Sequence, residues 1–338
     1  MPRKVALIGA GGITYAHVPA WLALGAEVSV FAERGADRLA ARFGLRHCTS
    51  FEEAVQDADV VDICTPTPLH VEHALRAIAA GKDVVCEKPV ARHAADAQQV
   101  VDAAAAAGVR VLPGHVVRYF PEYAAVKQAV DAGRVGRLAV LRFSRQGPAP
   151  ASDWFFDLDA SGGLVMDQMI HDLDAARWIA GEVVQVYAVQ SPAAEGTRLA
   201  RRTAAQVVLT HRSGAISHIR GAWTDPGVVF TTSFDIAGDA GRLSYDSRRT
   251  DPLTANLAAT AGESSYLPGS FEGNPYQTEL ADFLAGFDGA PTRVDYLDGI
   301  VAVRLAEAAL ESIATGRAVD LAVDRDEAAA VPAPGVHA

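Results

Sequence analysis

The chain has 338 residues, half of them hydrophobic and 21% charged, a composition and length that suit two globular domains of about 100–200 residues each. Its net charge of −11 argues against a nucleic-acid partner, which needs a basic surface, and no apolar stretch reaches the ~20 residues of a membrane span. The first apolar run, residues 5–8, is too short for a secretory signal, so we expect a cytoplasmic protein whose three cysteines stay reduced.

The first 120 residues alternate short apolar runs with segments of helical spacing. Apolar strands separated by helices are typical of a parallel sheet covered on both faces. We therefore predict a doubly wound, Rossmann dinucleotide-binding domain over residues 1–120. The predicted strands are residues 4–8, 27–31, 60–64, 83–86 and 109–113, and the predicted helices are residues 13–24, 37–43, 69–80 and 91–107.

A glycine-rich turn, GAGGIT at residues 9–14, follows the first predicted strand and opens the first helix. A diphosphate requires glycine here because a Cβ would block its approach to the backbone, and the helix start offers free N–H groups. The simpler alternative is a connector that needs positive φ. The position within a strand–turn–helix unit favours cofactor binding. The residues predicted to bind the cofactor are Gly9, Gly11, Gly12 and Ile13.

The end of the second strand bears on the choice between NAD and NADP. The dinucleotide fingerprint expects an acid there to bind the ribose hydroxyls, and Glu33 comes one place after the usual position. Its carboxylate would repel a 2′-phosphate, which favours NAD. Arg34 and Arg38 could instead pair with that phosphate, so NADP remains open.

Two polar segments follow the third and fourth strands: TPTPLH at residues 65–70 and CEKP at residues 86–89. Both come at the carboxyl ends of parallel strands, where open α/β sheets bind ligands. We therefore expect both segments to lie at the ligand-binding edge of the sheet.

After residue 120 the strands follow one another with short turns, which indicates a large, open, mostly antiparallel sheet in a C-terminal α+β domain over residues 121–321. We expect a mobile tail at residues 322–338. The predicted strands are residues 135–145, 183–190, 204–211, 215–223, 229–237 and 241–245, and the predicted helices are residues 163–180, 275–286 and 298–315.

The helix predicted at residues 163–180 carries Asp167 and His171 four residues apart. Such residues share a helix face about 6 Å apart, so a carboxylate and an imidazole could point into one cleft. The alternative is a surface pair of little energetic value, but the flanking residues are too apolar for a solvated helix. Metal binding by Asp167, His171 and Asp174 is a third interpretation, and we expect no metal, because Lys88 can supply positive charge.

These motifs together resemble the Gfo/Idh/MocA family of sugar and cyclitol oxidoreductases. The resemblance rests on the glycine turn, the run from Thr65 to Glu87-Lys88-Pro89, and Gly162-Gly163 followed by Asp167, His171 and Asp174. It covers nearly the whole chain and implies NAD or NADP as cofactor and a small polyol or sugar as substrate.

The resemblance also implies individual roles. The glycine turn would hold the pyrophosphate, and Thr65, Pro66 and His70 would border the nicotinamide. Glu87 and Lys88 would meet the ribose and the substrate, with a cis Lys88–Pro89 bond, which an X–Pro bond tolerates at modest cost.

The predicted chemistry is hydride transfer between nicotinamide and a carbon that bears a hydroxyl group. We assign His171 as the general base, Asp167 as the group that orients it, and Lys88 as the cation that polarises the reacting oxygen.

Other candidates come from the second half of the chain. We expect Arg118 to bind substrate or to form an interdomain ion pair, and Asp153 and Trp154 to offer a carboxylate and a stacking surface for a sugar ring. Tyr276 is a weaker candidate, and His17 is assigned to packing or to the surface with the remaining histidines.

The number of helices in the second half bears on the oligomeric state. Helices in the second half are too few to cover both faces of its sheet, which favours a homodimer or homotetramer built through that sheet.

The alternative functions are an NADPH-dependent reductase of a biosynthetic keto-sugar and a non-catalytic, dinucleotide-sensing regulator. Retention of Lys88, Asp167 and His171 argues against the regulator.

Overall fold

The computed structural model describes residues 2–249, 252–257 and 273–321. The tail predicted at residues 322–338 lies outside them. Two sheets organise the described chain, one of six strands and one of eight. None of the described helices combines the length and the apolar character needed to cross a membrane.

The six-stranded sheet is parallel throughout, with strand order β3-β2-β1-β4-β5-β6, as predicted for a doubly wound domain. Strands β1, β4, β5 and β6 are almost wholly buried, which explains their continuous apolar sequences. The strands are β1 (Lys4–Ile8), β2 (Glu27–Phe31), β3 (Arg46–His47), β4 (Val60–Ile63), β5 (Asp83–Glu87) and β6 (Val111–Gly114). The helices between them are α1 (Thr14–Ala23), α2 (Ala36–Phe43), α3 (Phe51–Gln56), α4 (His70–Ala79) and α5 (Ala94–Ala107), with a 3₁₀ turn at Thr67–Leu69.

The eight-stranded sheet has the order β13-β12-β11-β7-β10-β9-β8-β14 and is antiparallel except for the pair β7 and β10. This confirms the mostly antiparallel C-terminal sheet. Its strands are β7 (Leu138–Pro148), β8 (Val183–Ser191), β9 (Thr203–His211), β10 (Ile216–Thr224), β11 (Thr231–Gly238), β12 (Gly241–Asp246), β13 (Leu253–Leu257) and β14 (Val319–Asp320).

The remaining helices lie before, within and after this second sheet. They are α6 (Pro121–Asp131), α7 (Leu158–Ser161), α8 (Ile170–Ala180), α9 (Pro275–Phe287) and α10 (Tyr296–Thr315), with 3₁₀ turns at Val116–Tyr119 and Asp153–Phe156 and a π-helical segment at Val165–Met169. Helices α8 and α10 pack on one face of the sheet. Alternate side chains of β9 and β10 are exposed on the other face.

Helix α9 packs against the first domain, although it lies between β13 and β14 of the second sheet in the sequence. Leu280 and Phe283 of α9 are fully buried in the core that surrounds Leu7 and Trp21. Asn274 begins the helix by accepting a hydrogen bond from the backbone N–H of Tyr276. The two domains therefore share a contact that brings Tyr276 and Glu279 next to α1.

Candidate active site

The glycine turn after β1 has the geometry that a diphosphate site requires. Gly9 has φ +121°, and a Cβ there would lie 2.5 Å from the carbonyl oxygen of Cys64, so only glycine fits between β1 and β4. Gly11 and Gly12 are exposed, and a Cβ on either would meet no atom within 4 Å. Open space therefore lies before the backbone at the start of α1, where a pyrophosphate would bind.

The end of β2 lies beside this turn. A Cβ on Gly35 would come within 3.7 Å of the Ala10 side chain, which places the loop after β2 against the glycine turn. Glu33 and Arg34 are both exposed in this loop. A carboxylate and a guanidinium are thus both available where the adenosine ribose would lie.

Lys88 and Asp167 meet at the junction of the two domains. Lys88 follows β5, its peptide bond to Pro89 is cis as expected, and its amine donates to Asp167 Oδ1 at 3.1 Å and to the Asp167 carbonyl oxygen at 2.9 Å. Both side chains are partly exposed, at 16% and 20%. A cation from one domain and a carboxylate from the other therefore border the same opening.

The helix that supplies Asp167 is not the regular α-helix that the sequence predicts. Residues Val165–Met169 form a π-helical segment, and the α-helix begins only at Ile170. The wider π turn changes the angle between Asp167 and His171, and the carboxylate bonds Lys88. The described contact of the Asp167 carboxylate is therefore with Lys88, and its expected action on His171 stays a prediction.

His171 stays electrically neutral near pH 7. Burial lowers its pKa well below the usual 6.5, and the positive charges of Lys88 and Arg145 lower it further. Among the described residues, Nδ1 of this ring is buried without a hydrogen-bond partner. A neutral imidazole next to an ammonium can accept a proton from a hydroxyl group.

Two glycines set the approach to this segment. Gly162 and Gly163 have φ +72° and +64°, and a Cβ on them would lie 2.5 Å from Met166 and 2.2 Å from Leu199. The chain can make this tight turn only with glycine at both positions. The glycine pair thus fixes where the π-helical segment starts.

Buried ion pairs hold α8 in place. Arg145 donates from Nε and Nη2 to Asp172, both at 2.9 Å, and Arg118 donates in the same bidentate way to Asp174 at 2.9 and 2.6 Å. Arg118 also donates to Asp298 at 2.9 Å. Its guanidinium is 3% exposed, so the structure favours the ion-pair interpretation of Arg118 over substrate binding. Both oxygens of Asp174 accept hydrogen bonds from Arg118.

The segment after β4 contributes both cleft and buried residues. Thr65 is half-buried and Pro66 is exposed, and their expected place beside the nicotinamide stays a prediction. His70, by contrast, is buried, with Nδ1 2.7 Å from the Pro89 carbonyl and Nε2 2.8 Å from the Thr65 carbonyl. It therefore braces two loops against each other and does not face the cleft as expected.

The remaining candidates, Asp153, Trp154 and Tyr276, contact other residues. Asp153 forms an exposed ion pair with Arg201, at 2.6 Å, and Trp154 stacks on Phe155 with 4.0 Å between ring centroids. Tyr276 is half-buried, with its ring 5.7 Å from that of His17. The positive charge of Arg145 interacts electrostatically with both Tyr276 and His171. Tyr276 is thus better placed for the cleft than its weak sequence signal suggested.

Sequence reasoning missed His17. It was assigned to packing or to the surface, but its side chain is fully buried between Asp62 and Glu87. Thr14, His17, Val18 and Trp21 are all buried on one face of α1. These residues lie three, four and seven positions after Thr14, and this helical spacing indicates that His17 faces the sheet.

Two family models match consecutive parts of the chain. Residues 3–115 match a model described as "Oxidoreductase family, NAD-binding Rossmann fold", and residues 123–244 match the "GFO/IDH/MocA C-terminal domain". Together these cover well over half of the 338 residues.

Curated relatives and a solved structure agree with this match. The chain is 28% identical to an inositol 2-dehydrogenase of Rhizobium meliloti (strain 1021), over 95% of this chain and 100% of the relative. It is 33% identical to a 1,5-anhydro-D-fructose reductase of Ensifer adhaerens, over 93% and 97%. The structure of a levoglucosan dehydrogenase with NADH and levoglucosan superposes with a TM-score of 0.83 at 25% identity, covering 95% of this chain and 99% of the other.

Proposed function

The chain belongs to the Gfo/Idh/MocA oxidoreductase family, and on that premise we propose that it oxidises a secondary hydroxyl group of a sugar, glycoside or inositol-like cyclitol with NAD. The single observation that carries this proposal is the convergence of Lys88, from the dinucleotide-binding domain, and Asp167, from the second domain, at 3.1 Å. The relatives named above act, by their names, on a cyclitol and on anhydrosugars.

Lys88, His171 and Asp167 each have a separate role in the proposed hydride transfer. NAD bound at the glycine turn would supply the hydride acceptor, and NADH the hydride donor. Lys88 donates a hydrogen bond to the substrate oxygen and stabilises its developing negative charge. His171, neutral because burial lowers its pKa, takes the hydroxyl proton. Asp167 holds the amine of Lys88 in position and accepts a hydrogen bond from a neighbouring hydroxyl group.

The glycine turn and its neighbours would bind the cofactor. Gly9, Gly11, Gly12 and Ile13 would hold the pyrophosphate at the start of α1, because the space before them is open. Glu33 would bind the adenosine ribose hydroxyls, which favours NAD.

A reductive role is the second candidate. It is favoured by the 33% identity to a protein named as a reductase. In this direction Lys88 polarises the ketone and His171 returns the proton. Arg34 next to Glu33 leaves NADPH as a possible donor, and the two directions share all the groups named above.

A substrate screen tests the proposal. Polyols, inositols, glycosides and 1,5-anhydrohexitols are offered with NAD and with NADP, and keto-sugars with NADH and NADPH, while absorbance at the reduced nicotinamide band is followed. Turnover of at least one compound is expected, with NAD preferred. Tight NADH binding without turnover of any compound would instead support a dinucleotide-sensing regulator.

Two broader features complete the proposal. The exposed face of the eight-stranded sheet offers a surface for a second copy, so we place a homodimer or homotetramer contact there. Use of NAD and three free, buried cysteines support a cytoplasmic location.

A further inference from the structure

Helix α1, which follows the glycine turn, carries a buried histidine that contacts Glu87, the residue directly before Lys88. The His17 side chain has no exposed surface; Nδ1 lies 2.9 Å from Asp62 Oδ2, and Nε2 lies 3.0 Å from Glu87 Oε1. Trp21, one turn further along α1, donates to the same Asp62 oxygen at 2.7 Å. One imidazole therefore bridges carboxylates on β4 and β5.

The bridge is an ion pair as well as a pair of hydrogen bonds. Burial alone would lower the pKa of His17, but the charge of Asp62 and the contacts with Asp62 and Cys64 raise it well above 6.5 overall. A protonated ring donates from both nitrogens, as the two acceptors require. Charge-assisted hydrogen bonds of this kind are stronger than neutral ones and fix geometry closely.

Glu87 also contacts the backbone of Lys88. Its second oxygen, Oε2, accepts the backbone N–H of Lys88 at 3.0 Å. The carboxylate lies close to the backbone of β6, because a Cβ on Gly114 would lie 3.0 Å from Oε1. His17, Glu87 and the Lys88 backbone thus form one chain of contacts that ends at the residue whose amine meets Asp167.

We propose that His17 is a positioning residue: its Nε2–H bond to Glu87 fixes the Lys88 backbone and so aims the Lys88 amine at Asp167 and at the substrate oxygen. The effect on turnover rests on the proposed function, whereas the effect on the Lys88 amine does not. The glycine turn lies one helical turn before His17, so cofactor binding and Lys88 placement share one rigid unit.

The same atoms do not favour a metal site. His17, Asp62 and Cys64 bring three possible ligand atoms within 4.8 Å of one another. A metal would need a thiolate and a free imidazole lone pair. Burial raises the pKa of the Cys64 thiol, and Asp62 Oδ2 already accepts from both His17 and Trp21. Hydrogen bonding accounts for the whole cluster.

Two neutral substitutions separate the two contacts of the ring. Asn at position 17 places its amide where Nδ1 lies and keeps the bond to Asp62, whereas Gln reaches the position of Nε2 and keeps the bond to Glu87. His17→Asn and His17→Gln both remove the positive charge, so each serves as the control for the other. Gly114→Ala is a third variant, because its methyl group displaces the Glu87 carboxylate without altering His17.

The first readout is the rate at which an amine-reactive reagent labels Lys88, followed by mass spectrometry with Lys82 as internal reference. His17→Asn and Gly114→Ala are expected to label Lys88 about fivefold faster than wild type, since a freed amine is more often unpaired, and His17→Gln within about twofold. The second readout is kcat at saturating NAD and substrate. It is expected to fall about tenfold or more in His17→Asn and to change by less than about threefold in His17→Gln.

Three results would overturn the inference: equal labelling of Lys88 in all variants, equal losses in His17→Asn and His17→Gln, or a loss explained by a weaker NADH Kd alone. If wild type turns over no substrate, the proposed function fails, and the labelling rates still decide the role of His17. If both His17 variants fail to fold, Gly114→Ala decides it by the same readouts.

Discussion

At the scale of single residues, the charge of Lys88 acts on both of its neighbours. It bonds Asp167 directly and helps to keep His171 unprotonated. A single amine therefore stabilises the negative charge of the reacting oxygen and keeps the base in its active form. Both effects can be measured separately.

Replacing Lys88 by Met removes the charge but retains the length of the side chain. We expect kcat to fall by about a hundredfold or more, the usual effect of removing one oxyanion-stabilising donor, while the Kd for NADH stays nearly unchanged. Lys82→Met is the matched control, because the Lys82 amine donates to the carbonyls of Gln56 and Ala58 and not to Asp167. Near-normal kcat in Lys88→Met would refute the assigned role.

The pKa of His171 gives an independent check that needs no substrate. NMR titration of the labelled imidazole is expected to give a pKa below 6.5 in wild type, mainly because of burial, and a higher one in Lys88→Met, since a positive neighbour disfavours the imidazolium. Activity in the oxidative direction should accordingly fall only as the pH drops below 6.5. An unchanged His171 pKa in Lys88→Met would place the two residues far apart.

The residue types of this site were readable from the sequence, but several of their roles were not. Lys88, Asp167 and His171 were selected by position after a strand and along an apolar helix. The role of His17 depends on Asp62 and Glu87, which lie 45 and 70 residues away, and no local pattern states such a pairing. The ion pairs of Arg118 depend on three separate elements in the same way.

At the scale of secondary-structure elements, the strands with continuous apolar sequence were predicted within one or two residues. The sequence pattern does not predict β3, α3, α6, α7, β13 or β14. β3 has only two residues and α3 only six, too few to show a period. The π-helical segment at Val165–Met169 was predicted as α-helix, because its apolar spacing does not distinguish the two.

The glycine turn offers a test at this scale with a built-in control. Gly9→Ala should lower the free energy of unfolding by about 2 kcal/mol or more, because its Cβ would collide with the Cys64 carbonyl at positive φ. Gly12→Ala should change it by less than about 0.5 kcal/mol and weaken NADH binding, because its methyl group fills the open space before the turn. Urea unfolding and NADH fluorescence measure the two effects. Unimpaired NADH binding in Gly12→Ala would place the dinucleotide elsewhere.

At the scale of the whole molecule, the exposed face of the eight-stranded sheet is the feature that a single copy leaves unexplained. Tyr187, Val189 and Ile216 are exposed by 41%, 47% and 40% on its outer side. Such apolar groups among polar neighbours favour a contact with a second copy related by two-fold symmetry.

Light scattering at micromolar concentration tests this contact. We expect the mass of a dimer or tetramer, and a shift toward monomer in Val189→Glu, since a two-fold contact brings like charges together. Val229→Glu should leave the mass unchanged, because Val229 is 76% exposed in the loop between β10 and β11 and lies off the sheet. A monomeric wild type would rule out the sheet contact.

The central claim is that groups from two domains act on one substrate hydroxyl group at one nicotinamide ring. The most direct measurement is a crystal structure with NADH and a compound that passes the substrate screen. We expect Lys88 Nζ and a ring nitrogen of His171 both to lie about 2.6–3.2 Å from the same substrate oxygen, with the carbon that bears it facing nicotinamide C4. A nicotinamide ring bound away from Lys88, or a substrate oxygen in contact with neither residue, would contradict the claim.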